Sequence, residues 1–246
     1  MADQFELRPL DQFNLKSLID FRIGEYDLSF TNSTLFMFLG LICLSGLLML
    51  FIKKPQLVPN RMQAMGELIH DFVLGTVNEN TLGKGEQYFP FIFSLFCFIL
   101  TLNLLGLLPH GFTVTSHISV TLAFALIVFV VLNIIAFARH GLKFFHHFLP
   151  EGIPLFLAPV MIVIELFVYL IRPVTLSIRL AANMMAGHIL LYIAATFVVI
   201  GGITIGIIPI SFVIVFTGIE IFVAVLQAYI FTILTCTYLN DAIHLH

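Results

Sequence analysis

Residues 164–188 read IELFVYLIRPVTLSIRLAANMMAGH, an apolar stretch that carries Glu165, Arg172, Arg179 and Asn183. An ionisable group at membrane depth costs about 2.5 kcal/mol or far more, so such groups usually mark functional sites. On a helix that turns about 100° per residue, these four side chains fall within about 40° of one another. The stretch therefore predicts a membrane helix with one polar stripe.

The composition of the whole chain indicates an integral membrane protein. Its 246 residues are 60% hydrophobic and only 10% charged, with a mean hydropathy of +1.07, whereas about a quarter of a soluble domain is charged. A net charge of −3 does not indicate a nucleic-acid-binding surface. The chain has no phosphate-binding loop, and its three cysteines lie in separate apolar segments. We therefore expect no nucleotide site, cofactor, disulfide or structural zinc.

The first residues, MADQFELRPLDQF, resemble neither kind of cleaved targeting segment. They lack the basic and apolar regions of a secretory signal, and their acidic residues are atypical of a mitochondrial transit peptide. We therefore expect a chain that is inserted directly into the membrane in which it works. Residues 1–34 are expected to form an N-terminal segment on the outer side.

Five apolar segments are long enough to cross a bilayer, which takes about 20 residues. We expect them within a single membrane domain, residues 35–246, at residues 35–52, 88–108, 114–138, 155–200 and 203–239. The last two are far longer than one perpendicular crossing needs, so they must tilt strongly, bend or run along something. Gly201 and Gly202 are expected to supply the turn of this hairpin. The sequence thus predicts an all-α integral membrane protein.

Residues 61–77 have a different pattern from the spans. Met62, Met65, Ile69 and Phe72 follow the helical spacing of an apolar face, and the charged side chains fall mainly on the other side. This pattern predicts an amphipathic helix that lies along the membrane interface.

Basic residues predict the orientation. Lys53, Lys54 and Arg61 follow the first span, and a second basic loop covers residues 139–147. Loops rich in lysine and arginine face the cytoplasm or matrix. The N-terminal segment is then expected on the periplasmic or intermembrane side.

A second polar pair lies in the last apolar segment. Glu220 and Gln227 are seven residues apart and share one helical face. His188 points about 180° away from Arg179 on a helical wheel. In an antiparallel pair of helices it can therefore meet Glu220, while Gln227 comes near Arg179. A histidine beside an intramembrane glutamate is typical of a proton relay, although a lone membrane histidine is often a packing residue.

Two charged residues also have purely structural interpretations. Arg172 precedes Pro173 and suits an anchor whose head group reaches the interface. Glu165 lies roughly 21 Å from Arg179 along a straight helix, too far for a direct pair, but only about 10 Å from Arg172. A Glu165–Arg172 pair and a proton-carrying Glu165 both stay open.

Two stretches resemble subunit a of the F-type ATP synthases. They are residues 164–188, quoted above, and GIEIFVAVLQAYIFTILTCTYLNDAIH at residues 218–244. The shorter FTVTSHI and VPNRMQ stretches resemble the same family, so the resemblance covers most of the chain after about residue 10. The pattern RLxxNMxxGH, followed by a glutamate and a glutamine seven residues apart, is highly specific.

The resemblance implies a role for each polar residue and a tilted hairpin against a ring of c subunits. Arg179 matches the essential arginine of the family, which faces the rotating c-ring. The remaining residues match two proton half-channels: His188, Glu220, Asn183 and Gln227 on the intermembrane or periplasmic side, and Glu165 on the matrix or cytoplasmic side.

The resemblance implies a proton-translocating stator subunit of the Fo sector, part of a rotary motor for ATP synthesis. It is not an enzyme, because catalysis on ATP belongs to partner subunits. Expected partners are the c-ring, peripheral stalk subunit b, other Fo subunits, F1 indirectly, protons and the lipid bilayer, with no nucleic acid. No metal is required, but His188 and Glu220 are of the types that bind zinc, which predicts inhibition by external zinc.

The His188 and Glu220 arrangement resembles mitochondrial and alphaproteobacterial members of the family. The 27 phenylalanines and the absence of tryptophan suit an organelle gene, so we expect a multi-pass protein of the mitochondrial inner membrane, with a bacterial plasma membrane as the alternative. The alternative function is a proton-coupled secondary transporter, which should show internal repeats and broken helices.

Overall fold

The computed structural model describes residues 13–20, 22–23, 26–27, 29–52, 56–108, 111–141, 156, 158–205 and 207–243. Among these residues, four short strands precede six α-helices. The strands are β1 (Ser17–Ile19), β2 (Arg22–Ile23), β3 (Tyr26–Asp27) and β4 (Phe30–Thr31). The helices are α1 (Asn32–Ile52), α2 (Arg61–Thr81), α3 (Phe89–Gly106), α4 (Ile118–His140), α5 (Ala158–Ile205) and α6 (Ile207–Ile243).

Five of these helices are long and apolar enough to cross a membrane. The candidate spans are Asn32–Phe51, Glu86–Gly106, Ile118–His140, Pro159–Phe197 and Ile210–Ile243. The predicted all-α membrane fold with five crossing helices is confirmed.

The helix α2 is not among the five spans. It begins after Asn60, whose Oδ1 accepts a hydrogen bond from the backbone N–H of Arg61 at 2.7 Å. It ends at Thr81 because the next residue, Leu82, takes the left-handed conformation with a φ of 52°, and Gly83 follows with a φ of 75°. The amphipathic helix is thus four residues longer than residues 61–77, and its place at the interface stays a prediction.

Of the two last helices, α5 is slightly longer than the expected residues 155–200, whereas α6 has the expected length but lies four residues further along the chain than residues 203–239. α5 has 48 residues and α6 has 37, which at 1.5 Å per residue gives about 72 Å and 55 Å, against roughly 30 Å of hydrocarbon. α5 continues through Gly201 and Gly202, so the expected turn is absent there and the helix ends at Ile205. Glycine is common inside membrane helices, which explains why the pair does not end this one.

Several residues that carried sequence predictions lie outside the described residues. They are residues 1–12, the basic residues Lys53 and Lys54 that follow the first span, and Lys143, His146 and His147 of the second basic loop. Arg61, Arg139 and His140 are described. The orientation of the chain in the membrane therefore remains a prediction.

The N-terminal segment is attached to the start of α1. β1 pairs with β4 in antiparallel fashion, with Ser17 opposite Thr31, and β2 pairs with β3. The Thr31 hydroxyl accepts a hydrogen bond from the N–H of Thr34 at 3.4 Å. This is the usual role of an N-cap side chain, which satisfies a free donor of the first helical turn.

Contacts between Cα atoms divide the chain into two compact units. Unit 1 is Met1–Gly46, Phe98–His117 and Leu180–Gln227; unit 2 is Leu47–Cys97, Ile118–Arg179 and Ala228–His246. Within unit 1, α1 approaches α3 closely, since a Cβ on Gly40 would lie 2.6 Å from the Cδ2 of Leu102. The Nδ2 of Asn103 on α3 donates to the carbonyl of Ala224 on α6 at 3.2 Å.

Within unit 2, polar side chains join the helices. The hydroxyls of Thr121 on α4 and Ser177 on α5 lie 3.0 Å apart, and the Tyr169 hydroxyl donates to Oδ1 of Asn133 at 2.8 Å. The Nε2 of His140 lies 3.2 Å from the carbonyl oxygen of Ile243. Interhelical hydrogen bonds of this kind hold membrane helices together where lipid removes the hydrophobic driving force.

Candidate functional site

The polar stripe predicted on α5 is present along one continuous helix, but its members differ in exposure. Glu165 and Arg172 are half-buried, whereas Arg179 and Asn183 are exposed. Among the described residues, no carboxylate forms a salt bridge with Arg179. A permanently charged guanidinium is thus presented on the outer face of α5 within an apolar span.

In unit 2, Arg172 contacts one carboxylate and two aromatic rings. Its Nη1 lies 3.2 Å from Oδ2 of Asp241, and these side chains are 21% and 32% exposed. Its guanidinium carbon lies 4.9 Å from the ring centroid of Tyr238 and 5.5 Å from that of Tyr169. Within the described ranges, no salt bridge joins Arg172 to Glu165. Arg172 therefore links the first half of α5 to the end of α6.

The sequence reasoning missed Asp241 and its aromatic neighbours. A signal was present, because Glu220, Gln227 and Asp241 are separated by multiples of seven residues and therefore share one stripe of α6. The apolar Leu234 occupies the intervening position of the series, which hides the repeat.

The carboxylate of Glu220 is the central polar group of unit 1. Glu220 is 7% exposed, and neither carboxylate oxygen has a hydrogen-bond partner within the described part of the chain. It lies against the backbone of α5 at Gly187, where an added Cβ would be 3.1 Å from the Cδ of Glu220. Buried polar groups are almost always hydrogen-bonded, so this carboxylate makes Glu220 a candidate functional residue.

The structure places His188 next in the chain to the glycine that Glu220 contacts. Nε2 of His188 is buried, and it too has no hydrogen-bond partner among the described residues. No hydrogen bond joins it to Glu220, so the expected pair is adjacent without a direct contact between its polar atoms. Gln227 is also buried, at 6% exposure, whereas Asn183 is exposed. The four predicted half-channel residues therefore do not share one environment.

An open cavity of about 810 Å³ in unit 1 reaches His188. Its polar lining consists of Asn14, Lys16, Asn32, His188, Tyr192 and Thr217. Phe112 also lines it, and the ring of His117 stacks on Phe112 at 5.2 Å between centroids. His117 lies between two spans, and its burial lowers its pKa below the ordinary value of 6.5.

No group of three or more histidine, cysteine, aspartate or glutamate residues that could hold a metal ion occurs in the described part of the chain. His188 and Glu220 would supply two protein ligands, fewer than the three or four of the usual zinc sites. Inhibition by zinc bound to this pair stays a prediction. We expect no structural role for the metal.

One comparison with known proteins identifies the family. The model of the family described as ATP synthase A chain matches residues 34–240, a range that contains Glu165, Arg172, Arg179, Asn183, His188, Glu220 and Gln227 and ends one residue before Asp241. The match decides against a secondary transporter. The chain belongs to the ATP synthase A chain family and is a multi-pass membrane protein, the non-catalytic, proton-translocating subunit a of the Fo sector, which acts with the c-ring.

Proposed function

We propose that this subunit provides two offset aqueous half-channels separated by Arg179. His188, Glu220, Asn183 and Gln227 serve the half-channel on the intermembrane or periplasmic side. Glu165 serves the one on the matrix or cytoplasmic side. Two half-channels are needed because one continuous proton path would dissipate the gradient without rotation.

The observation that carries this proposal is the carboxylate of Glu220. It is buried in an apolar span, it has no hydrogen-bond partner within the described residues, and it lies beside Gly187, next to a histidine that lines a large cavity. A carboxylate and an imidazole together can pass a proton inward from the cavity, because each can both accept and release one.

The exposed Arg179 supports the role of a fixed charge towards the c-ring. A guanidinium stays protonated at any physiological pH. It attracts a carboxylate that arrives on the ring and favours release of the proton of that carboxylate into one half-channel. The carboxylate must then take a proton from the other half-channel before it can enter lipid, because an ionised carboxylate there is too costly. Rotation in one direction follows from this asymmetry.

Glu165 is proposed as the proton acceptor on the exit side. It lies on the same stripe of α5 as Arg179, about four turns earlier, and it is half-buried. Arg172 forms its salt bridge with Asp241, and this leaves Glu165 without the structural partner that the sequence suggested.

The finer assignments follow from the resemblance. A histidine at position 188 and a glutamate at position 220 resemble the mitochondrial and alphaproteobacterial type, and we place the protein in the mitochondrial inner membrane, with a bacterial plasma membrane as the alternative. Peripheral stalk subunit b, the other Fo subunits and, indirectly, F1 are its proposed partners.

The test measures proton uptake by sealed vesicles that contain the assembled complex. His188→Ala and Glu220→Gln should each lower the rate roughly tenfold or more, the usual effect of losing a proton-transfer group, and should weaken inhibition by external zinc. Thr196→Ala is the matched control, because the Thr196 hydroxyl donates only to the Tyr192 carbonyl of its own helix. Wild-type rates and zinc sensitivity in both variants would contradict the proposed half-channel.

A further inference from the structure

A short strap at the N-terminus lies at the cavity that reaches His188. We define this N-terminal strap as Phe13–Lys16, and the side chain of Asn32 holds it. Oδ1 of Asn32 accepts from the backbone N–H of Lys16 at 3.3 Å, and Nδ2 of Asn32 donates to the carbonyl of Asn14 at 3.3 Å. The N–H of Asn32 also donates to the Lys16 carbonyl at 3.1 Å. Three hydrogen bonds thus fix the strap to the first residue of α1.

The strap forms part of the cavity wall. Asn14 and Lys16 line the cavity together with His188. Phe13, the first residue of the strap, is only 9% exposed, and its ring meets the His188 ring in a T-shaped arrangement, with 6.4 Å between centroids and 84° between planes. The aromatic contact with His188 covers Phe13, and the hydrogen bonds of Asn32 hold the following residues of the strap in place.

We propose that Phe13 is a positioning residue for His188, and that the N-terminal strap forms the outer wall of the half-channel mouth. The proposal rests on the half-channel assigned to His188 above. An imidazole has two distinct nitrogens, and a proton relay needs the ring held so that each nitrogen meets its own partner. The Phe13 ring, packed against one edge of the imidazole, restricts the rotation of His188 while the cavity supplies access from outside.

The first test of the proposed wall measures how fast a thiol reagent reaches the cavity. In a chain whose three native cysteines are replaced by serine, Thr217→Cys places a thiol on the cavity lining. Ile214→Cys, at a position in the apolar span of α6 that is 68% exposed and does not line the cavity, gives the background rate for a thiol that the cavity does not reach. The rate of labelling with a water-soluble, membrane-impermeant thiol reagent is then measured in assembled complexes.

Phe13→Ala and Asn32→Ala should each raise the labelling rate of Thr217→Cys roughly fivefold, the change expected when a fixed side chain is released. Leu15→Ala is the matched control within the strap, since Leu15 is 55% exposed, and it should leave the rate unchanged. Equal labelling rates in Phe13→Ala, Asn32→Ala and the unaltered strap would contradict the proposal that the strap forms the wall of the cavity.

The positioning role is tested by the pH profile of proton uptake in the same vesicles. Phe13→Ala should shift the profile and lower the maximal rate, and Phe13→Tyr, which keeps the aromatic edge, should restore both. An unshifted profile in Phe13→Ala overturns the positioning role. A normal uptake rate in His188→Ala would instead overturn the half-channel on which this role rests, whatever the labelling rates are, so the two failures are distinguishable.

Discussion

Gly187 on α5 lies directly against the carboxylate of Glu220 on α6. A Cβ at position 187 would come within 3.1 Å of the Cδ and 3.3 Å of the Cγ of Glu220, and closer still to its Oε1. A side chain at this position would therefore displace the carboxylate from the helix backbone beside His188. We expect this glycine to serve the position of an ionisable group as well as close helix packing.

Gly187→Ala should consequently impair proton transport more than assembly. The added methyl group displaces the flexible end of Glu220, while alanine itself improves helix propensity by about 1 kcal/mol. We expect proton uptake to fall severalfold with a normal yield of complex. Gly218→Ala is the matched control, because nothing lies within 4 Å of a Cβ at that position. Equal proton-uptake rates in the two variants would show that the contact between Gly187 and Glu220 does not affect proton transport.

Arg179→Gln should abolish proton-driven ATP synthesis while the complex stays assembled, because an exposed side chain carries little of the fold and the fixed charge is lost. Arg179→Lys should also fail badly, since an ammonium group lacks the planar fork and the reliably fixed charge of arginine. ATP synthesis is measured in membranes that contain each variant. Arg61→Gln, at an exposed position on α2, serves as the control, and normal synthesis by Arg179→Gln would refute the role.

Glu165→Gln separates a proton acceptor from a structural residue. If Glu165 relays protons, turnover per assembled complex should slow and its pH dependence should shift. If it is only structural, thermal stability or yield should fall and turnover per complex should not change. Glu79→Gln, an exposed change on α2, controls for the loss of a carboxylate.

Asp241→Asn should lower the thermal stability of the purified complex modestly. The ion pair with Arg172 is partly exposed at both ends, so its loss is expected to cost about 1 kcal/mol. The contacts of Arg172 with Tyr169 and Tyr238 should survive the change. A larger loss in Asp241→Asn than in Tyr238→Leu would indicate that the charge pair outweighs the aromatic contacts.

His117 should make stability fall at acidic pH. Burial lowers its pKa in the folded protein below 6.5, so between the two pKa values the unfolded chain binds more protons. The free energy of unfolding therefore decreases as the pH drops through about 6.5 and below. His117→Gln should flatten this decrease in melting curves recorded from roughly pH 7.5 to 5.5, the window that brackets the ordinary histidine pKa. An equal decrease in the variant would assign the acid sensitivity to other groups.

The sequence predicted features that depend on local periodicity. The five spans, the polar stripe of α5 and the shared helical face of Glu220 and Gln227 all follow from spacing along one helix. The sequence is less informative where a residue contacts a partner that lies far away along the chain. Nothing near Gly187 in the sequence marks it as the neighbour of a carboxylate 33 residues later, and nothing near Asn32 marks it as the partner of Asn14, 18 residues earlier.

The course of α5 at Gly201 and Gly202 illustrates the limit of composition. Gly201 and Gly202 are typical of a turn in a soluble protein, but the helix runs through them. In lipid every backbone N–H and C=O must be satisfied within the segment. The environment therefore favours continuation of the helix where glycine alone would favour a break.

The hydrogen bonds that α6 receives impose an order on biosynthesis. Asn103 on α3, Arg172 on α5 and His140 on α4 contact α6 at Ala224, Asp241 and Ile243, which emerge from the ribosome 121, 69 and 103 residues later. Until α6 is inserted, the side chains of Asn103, His140 and Arg172 lack these partners on α6. A polar group without a hydrogen-bond partner in hydrocarbon costs several kcal/mol. Insertion of the last helix therefore completes these polar contacts, and we expect a chain truncated before residue 224 to be degraded by membrane quality-control proteases.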